Sequence, residues 1–526
     1  MTANPDRAGE AAPWTGADQL CETLLDHGVD TCFANPGTSE MHFVAALDRQ
    51  PRMRCILGLF EGVVTGAADG YGRMLDRPAA TLLHLGPGLA NGLANLHNAK
   101  RAGTSIINVV GDHSTTHLPL DAPLTSDIDS LAAPMSNWMR RMTASDRVAA
   151  DVADAWRASM TKGVATLVLP ADVAWSATDP APAMSILQAP AVSKADAGVA
   201  ALVADAVAAG RQVGIVLSGK ALRESHLAIA GRLMRRGIKV FAQGANGRIE
   251  RGHGRFGIER LSFNGDIGRR QLAGIELLAL VDAREPVTFF GYPGQSGRQV
   301  PDGCQVMTLA TRDADLLAAL EEFAERAGAP EVAPPFDRHV PDLPVDGALT
   351  VDAVNRILAN LLPEQAIVCD EAITSVGFYD HSTYGAPHDY LQLTGGAIGI
   401  GIPMATGAAV ACPDRKVVTL QADGSGMYTM QGLWTQAREA LDVVTVVFAN
   451  NSYAILHGEM RRMGIATPGE NARRMLDLDK PEIGWTQLAN SLGVEAERVT
   501  TSARFGDVLA SALNRRGPFL IEAAVA

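Results

Sequence analysis

The 526-residue sequence predicts an α/β protein of three domains, each a mostly parallel sheet flanked by helices. Three observations carry that expectation. The chain is too long for one core of ordinary size, so roughly three domains are expected. Short Val/Ile/Leu runs alternate with longer amphipathic segments from end to end, the pattern of parallel strands joined by helices. Two stretches rich in Pro, Ala and polar residues, 176–197 (SATDPAPAMSILQAPAVSKADA) and 328–347 (GAPEVAPPFDRHVPDLPVDG), read as connectors. They leave domains at 1–175, 198–327 and 348–526.

The strands follow in chain order. TSIINVVG and ATLVLP lie in the first domain, QVGIVLSG and GIKVFA in the second, KVVTLQADG and VVTVVFANN in the third. No short repeat is evident. The first and last domains could be distant structural copies, which pattern alone does not show.

Composition narrows the function class. The chain is 47% hydrophobic and 20% charged, the balance of a globular enzyme. A net charge of −13 and the lack of a basic run argue against nucleic-acid binding. Cys21, Cys32, Cys55, Cys304, Cys369 and Cys412 are scattered, without the paired spacing of zinc or redox centres. The polar N-terminus has no signal-peptide pattern and no apolar run reaches membrane-spanning length, so a cytoplasmic location away from membranes is expected.

The densest chemical signal runs from Leu420 to Leu456. It reads as strand, glycine turn, helix, strand and loop. Asp423 ends one strand and Asn450 the next, and in a parallel sheet those ends share the edge where α/β proteins bind ligands. A carboxylate (Asp423), an amide oxygen (Asn450) and a backbone carbonyl (Ser452) form a hard-oxygen set suited to Mg²⁺. Gly424 and Ser425 are expected to open the following helix, whose free amides would hold a phosphate. The plain alternative is a turn at Asp423–Gly424 and a loop at Asn450–Asn451.

This segment resembles the thiamine-diphosphate motif, GDG followed at a fixed interval by NN, with Ala422 in place of the first Gly. Further segments extend the resemblance over nearly the whole chain. FANPGTSE, FEGVVTGAADGYGR and LHLGPGLANGLANLHNA follow in the order of the pyrimidine-binding domain of acetolactate synthases and benzoylformate decarboxylase. The resemblance implies the thiamine-diphosphate-binding fold in the first and third domains, with thiamine diphosphate and Mg²⁺ as cofactors. It also implies an active site shared between two subunits, hence a homodimer or homotetramer. FAD, present in the middle domain of some acetolactate synthases, has no support in this sequence.

Glu61 stands where this family has the carboxyl group that pairs with the cofactor's aminopyrimidine. Enclosed by apolar and small residues, it could hold or share a proton near neutrality. The alternative is a Glu that merely favours the helix dipole. Gly396 would give a backbone carbonyl to the aminopyrimidine, Ile398 would prop the cofactor in its bent form, and Thr374 in DEAITS would touch the diphosphate. The run LTGGAIGIGIP does not complete a dinucleotide fingerprint, because Met404 stands at the third Gly position.

His84, between ATLLH and the expected turn LGPG, matches an active-site histidine of benzoylformate decarboxylase, and Thr38 matches its substrate-contacting serine. His113 could reach the substrate. His113 and His117 are four apart, but their surroundings do not form a helix that presents both to a metal. That decarboxylase takes a second histidine from its middle domain; EPVTFFGYPGQSGR here has none.

The resulting expectation is a 2-oxo acid decarboxylase or carboligase acting on a small molecule. The other classes weighed are a flavin- or nicotinamide-dependent oxidoreductase and a non-catalytic relative of the same fold. The incomplete glycine fingerprint argues against the first, and the joint presence of Glu61, Asp423 and Asn450 against the second.

Overall fold

The computed structural model describes residues 13–181, 192–193, 195–332, 342–375 and 377–525. Residues 182–191 of the first expected connector and 333–341 of the second lie outside this set. The chain forms two compact units: residues 1–100 with 104–190, and residues 101–103 with 191–526.

The first unit is built on six parallel strands: β1 (Thr31–Asn35), β2 (Arg54–Leu57), β3 (Ala79–Leu83), β4 (Ile106–Asp112), β5 (Trp138–Arg141) and β6 (Val164–Pro170). Their order is β2-β1-β3-β4-β6-β5. Every residue of β3, β4 and β6 is buried, as expected where helices cover both faces. The helix Glu61–Leu75 is rich in glycine yet buried along nearly its whole length. Its glycines have a packing reason. A Cβ at Gly72 would approach the Ser105 carbonyl oxygen within 2.8 Å, so the helix lies closer to its neighbours than an alanine would permit. Its buried Asp69 and Arg73 neutralise one another one helical turn apart, at 2.5 Å.

The second unit holds two sheets. Its strands begin with β7 (Val213–Leu217), β8 (Lys239–Ala242), β9 (Arg248–Arg251), β10 (Glu259–Arg260), β11 (Leu277–Val281) and β12 (Gln305–Ala310). They continue with β13 (Ile367–Glu371), β14 (His388–Gln392), β15 (Val417–Ala422), β16 (Val443–Ala449), β17 (Glu495–Val499) and β18 (Phe519–Ala524). One parallel sheet runs β10-β8-β7-β11-β12 and the other β17-β18-β16-β15-β13-β14-β9. The strand β9 comes from the stretch expected to be wholly central, yet pairs antiparallel with β14. Arg248 on β9 fixes the join by an ion pair with Asp389 on β14 at 2.5 Å.

Counted from its own first strand, the third sheet repeats the first. Both follow the order 2-1-3-4-6-5, apart from the added β9. In such sheets the chain winds outward in opposite directions from strands 1 and 3, and the crevice between their carboxyl ends is the favoured ligand site. These switch points lie between β1 and β3 and between β13 and β15.

Candidate active site

The switch point of the first unit gathers several of the expected residues. Thr38 follows β1 on a short 3₁₀ turn, Thr38–Glu40, and is exposed. His84 follows β3 directly. The expected LGPG turn is instead the first turn of the helix Leu85–Ala102, entered through Leu85 at φ 46°. His113 follows β4.

Glu40, which received no role from the sequence, organises this edge. Its carboxylate is 3% exposed and accepts from the Gly37 N–H at 2.9 Å and the Ser39 hydroxyl at 2.6 Å. It also takes His84 Nδ1 at 2.7 Å. A carboxylate acceptor favours a proton on Nδ1 and leaves Nε2 of the partly exposed ring clear of that contact. Glycine at 37 and at 111 makes room, since a Cβ at either would collide with His84 or Glu40 respectively. Glu40 and His84 are 44 residues apart, so no local spacing links them.

Glu61 begins the helix Glu61–Leu75 and is 6% exposed. Its Oε2 accepts from the Asn91 amide at 3.0 Å, and its Oε1 faces Gly88, where a Cβ would lie 3.1 Å away. The side chain is thus positioned by more than a helix dipole. His113 and His117 turn out to be ring neighbours, with centroids 5.3 Å apart. The Nε2 of His113 is buried without a hydrogen-bond partner. No third His, Cys, Asp or Glu joins them in a metal-holding cluster among the described residues.

In the second unit, Asp423 follows β15 and Asn450 follows β16. Asp423 is 2% exposed. Its Oδ1 accepts from Gly424 N–H at 2.7 Å, and its Oδ2 from the N–H groups of Asn450 and Asn451 at 3.0 and 2.7 Å. Burial, the largest influence, holds its carboxyl above the usual carboxylate range, although these N–H groups pull it down. The two loops are therefore tied through one carboxylate. The Asn450 amide oxygen accepts from Ser452 N–H at 3.0 Å, which curls that loop back on itself. Asp423, Asn450 and the Ser452 carbonyl are all hard oxygen donors on neighbouring strand ends, a donor set that fits Mg²⁺ completed by phosphate and water.

The helix expected after Gly424 is a single turn, Asp423–Gly426, and the longer helix starts at Gln431. Gly424 is required there, because a Cβ would come within 2.5 Å of the Tyr453 ring. Ser425 is buried and its hydroxyl accepts from Gln421 Nε2 at 2.6 Å. Thr374 is exposed on the turn after β13.

Gly396 and Ile398 lie on the loop between β14 and the helix Gly401–Ala411. Gly396 has φ 78° and Gly399 φ 97°, conformations that favour glycine. Ile398 is partly buried. Glu371, at the end of β13, anchors the loop: it accepts from the N–H groups of Gly399 and Gly401 at 2.5 and 2.7 Å and from Gln421 Nε2 at 3.0 Å. Burial pushes its carboxyl above the ordinary range, against the pull of those donors. Glu371 lies within DEAITS, where no local spacing marks it as an anchor.

Comparison with known proteins fits both halves. The N-terminal TPP binding domain of thiamine pyrophosphate enzymes matches residues 14–133, and the C-terminal TPP binding domain matches 375–523. A Mycobacterium tuberculosis protein named "Putative acetolactate synthase large subunit IlvX" is 48% identical over 97% of this chain and 99% of its own. Benzoylformate decarboxylase of Pseudomonas aeruginosa is 28% identical over 95% of this chain and 97% of its own. Two solved structures share the fold. A thiamine diphosphate-dependent 4-hydroxybenzoylformate decarboxylase of Rhodococcus jostii superposes with TM-score 0.83 at 23% identity, covering 97% of this chain and 99% of that one. Benzoylformate decarboxylase of Polynucleobacter necessarius gives 0.82 at 22% identity, covering 98% and 99%. With both cofactor-binding domains matched and a close relative spanning its length, the chain belongs to the thiamine pyrophosphate enzyme family and is an enzyme of the acetolactate synthase and benzoylformate decarboxylase type.

Proposed function

We propose that this enzyme uses thiamine diphosphate and Mg²⁺ to remove CO₂ from a small 2-oxo acid, with release of an aldehyde or joining of the remaining carbon unit to a second carbonyl compound. The observation that carries this reading is the coupling of Asp423 to the Asn450–Asn451 loop across the carboxyl ends of β15 and β16. Asp423, Asn450 and the carbonyl of Ser452 hold the cation. Gly424, Ser425 and Thr374 hold the diphosphate. The Gly396 carbonyl and the Ile398 side chain orient the rings.

When bound, the cofactor supplies an electron sink for the bond that breaks. The chain's own groups handle protons and substrate. Glu61, fixed by Asn91 through Oε2, keeps Oε1 available to hold or pass a proton to the aminopyrimidine. His84, fixed through Nδ1 by Glu40, presents Nε2 to donate or accept a proton on the substrate side. Thr38 and His113 flank it and contact the substrate. The reading includes domain boundaries at 1–175, 198–327 and 348–526, a cytoplasmic location, and a homodimer or homotetramer. No helix among the described residues is long and apolar enough to cross a membrane.

Dialysis against a chelator tests the cofactor requirement. Turnover of 2-oxo acids should vanish and return only when both Mg²⁺ and thiamine diphosphate are restored, and Asp423→Ala should fail to retain the cofactor in a binding assay. Full turnover without either addition would sink the proposal.

A further inference from the structure

The carboxyl ends of β13 and β15 form the switch point of the third sheet, and Glu371 and Gln421 face each other across it as partners in the strand register. Gln421 is an unusual residue at the end of the run VVTLQ. It is fully buried, and its Oε1 has no hydrogen-bond partner. A buried amide with an unsatisfied oxygen is less stable there than an apolar side chain of similar size, so its presence points to work done by the NH₂ end.

That NH₂ group joins two loops. It donates to Glu371 Oε2 at 3.0 Å and to the Ser425 hydroxyl oxygen at 2.6 Å. Ser425 directs its own proton to the Ala422 carbonyl at 3.2 Å, so only a donor fits between the hydroxyl and the carboxylate. Glu371 in turn accepts from the N–H groups of Gly399 and Gly401. The carbonyl of Gly399 accepts from the buried Thr429 hydroxyl at 2.9 Å, so Gly399 is held through both its N–H and its C=O. Glycine at 401 lets the loop sit directly on the pair, since a Cβ there would come within 2.3 Å of Gln421 Oε1 and 3.1 Å of the Glu371 side chain. The path from Gly399 through Glu371 and Gln421 to Ser425 is buried at every member. It connects the glycine loop 394–401 to the turn Asp423–Gly426.

We infer that Gln421 is a positioning residue, seconded by Thr429, that couples the two halves of the cofactor site, so that the turn and the glycine loop hold thiamine diphosphate as one unit. This rests on the assignment above of Gly424 and Ser425 to the diphosphate and of Gly396 and Ile398 to the rings. A ligand that reaches only the turn gains nothing from the link. One that spans both elements binds best when the loop is already set against the turn, because the ordering of the loop is then not charged to binding.

The test takes chelator-dialysed enzyme resupplied with Mg²⁺ and measures, by calorimetry, its affinity for thiamine diphosphate and for inorganic pyrophosphate, which lacks the rings. Gln421→Met keeps an unbranched side chain of similar length and removes its N–H groups. It should weaken thiamine diphosphate binding by about tenfold and leave pyrophosphate within about twofold of wild type. Thr429→Val, which cuts the second tie to Gly399, should show the same split. Pyrophosphate is the control for folding, since a variant that binds it as the wild type does has kept the turn intact. Equal loss of the two ligands from both variants would make these residues plain supports of the fold and overturn the coupling, as would unchanged affinity for both ligands. Wild-type enzyme that binds neither ligand would overturn the site assignment on which the coupling rests.

Discussion

At the residue scale, two carboxylates in the first unit are held for different work. Glu61 has one oxygen bound by Asn91 and the other facing a glycine, which leaves space beside the acid. Glu61→Gln conserves volume and the Asn91 neighbour but cannot pass a proton. We expect kcat to fall by about a hundredfold or more, with the circular dichroism spectrum and thiamine diphosphate affinity little changed. Turnover within a few-fold of wild type would show that Glu61 is only a helix-end charge. Glu40 binds Nδ1 of His84 and is proposed to act through it. Glu40→Gln should lower kcat by roughly tenfold, and His84→Ala should lower it further, because the glutamine still occupies the site but no longer fixes the imidazole tautomer. The double variant should be no worse than His84→Ala alone; additive losses would mean that Glu40 works independently. The motifs around Glu61 and His84 mark both as candidates. The Glu40–His84 pair could not, since the fold alone brings residues 44 apart into contact.

At the scale of elements, the glycine loop 394–401, proposed to meet the cofactor, depends on a strand end. Glu371 closes β13 and accepts from the backbone N–H groups of Gly399 and Gly401 in that loop. Glu371→Ala would strand two buried donors, at a cost of about 3 kcal/mol to folding. Its thermal midpoint should drop and thiamine diphosphate binding should weaken together. Glu371→Gln keeps one acceptor oxygen and should lose less on both counts. If Glu371→Ala bound the cofactor with wild-type affinity, the loop would need no such anchor. The strands were legible in sequence because β-branched and leucine runs bounded by glycine announce them; KVVTLQADG and VVTVVFANN became β15 and β16. Short helical turns were not, because a four-residue turn such as Asp423–Gly426 has no periodicity to detect. The strand β9 escaped for a related reason: RIER is four residues long, and its partner β14 is far along the chain.

At the scale of the whole molecule, the two cofactor-binding sheets share one strand order, and the candidate residues sit at equivalent positions in each. Thr38 and Thr374 follow strand 1, His84 and Asp423 follow strand 3, and His113 and Asn450 follow strand 4. Light scattering of the purified protein should give an even multiple of the 55.4 kDa chain, as a dimer or tetramer. A monomer with full activity would remove the proposed assembly.

The sequence by itself determined the α/β class and the strand runs, because periodicity and turn chemistry are local properties of the chain, and its motifs around Glu61, Asp423 and Asn450 carry the family resemblance. Only the tertiary structure decided that the first and third sheets share one strand order, that Glu40 holds His84, and that Glu371 anchors the glycine loop. Each of these joins residues distant in sequence. Their partners are chosen by strand order and burial, and those are set by the packing of the chain as a whole.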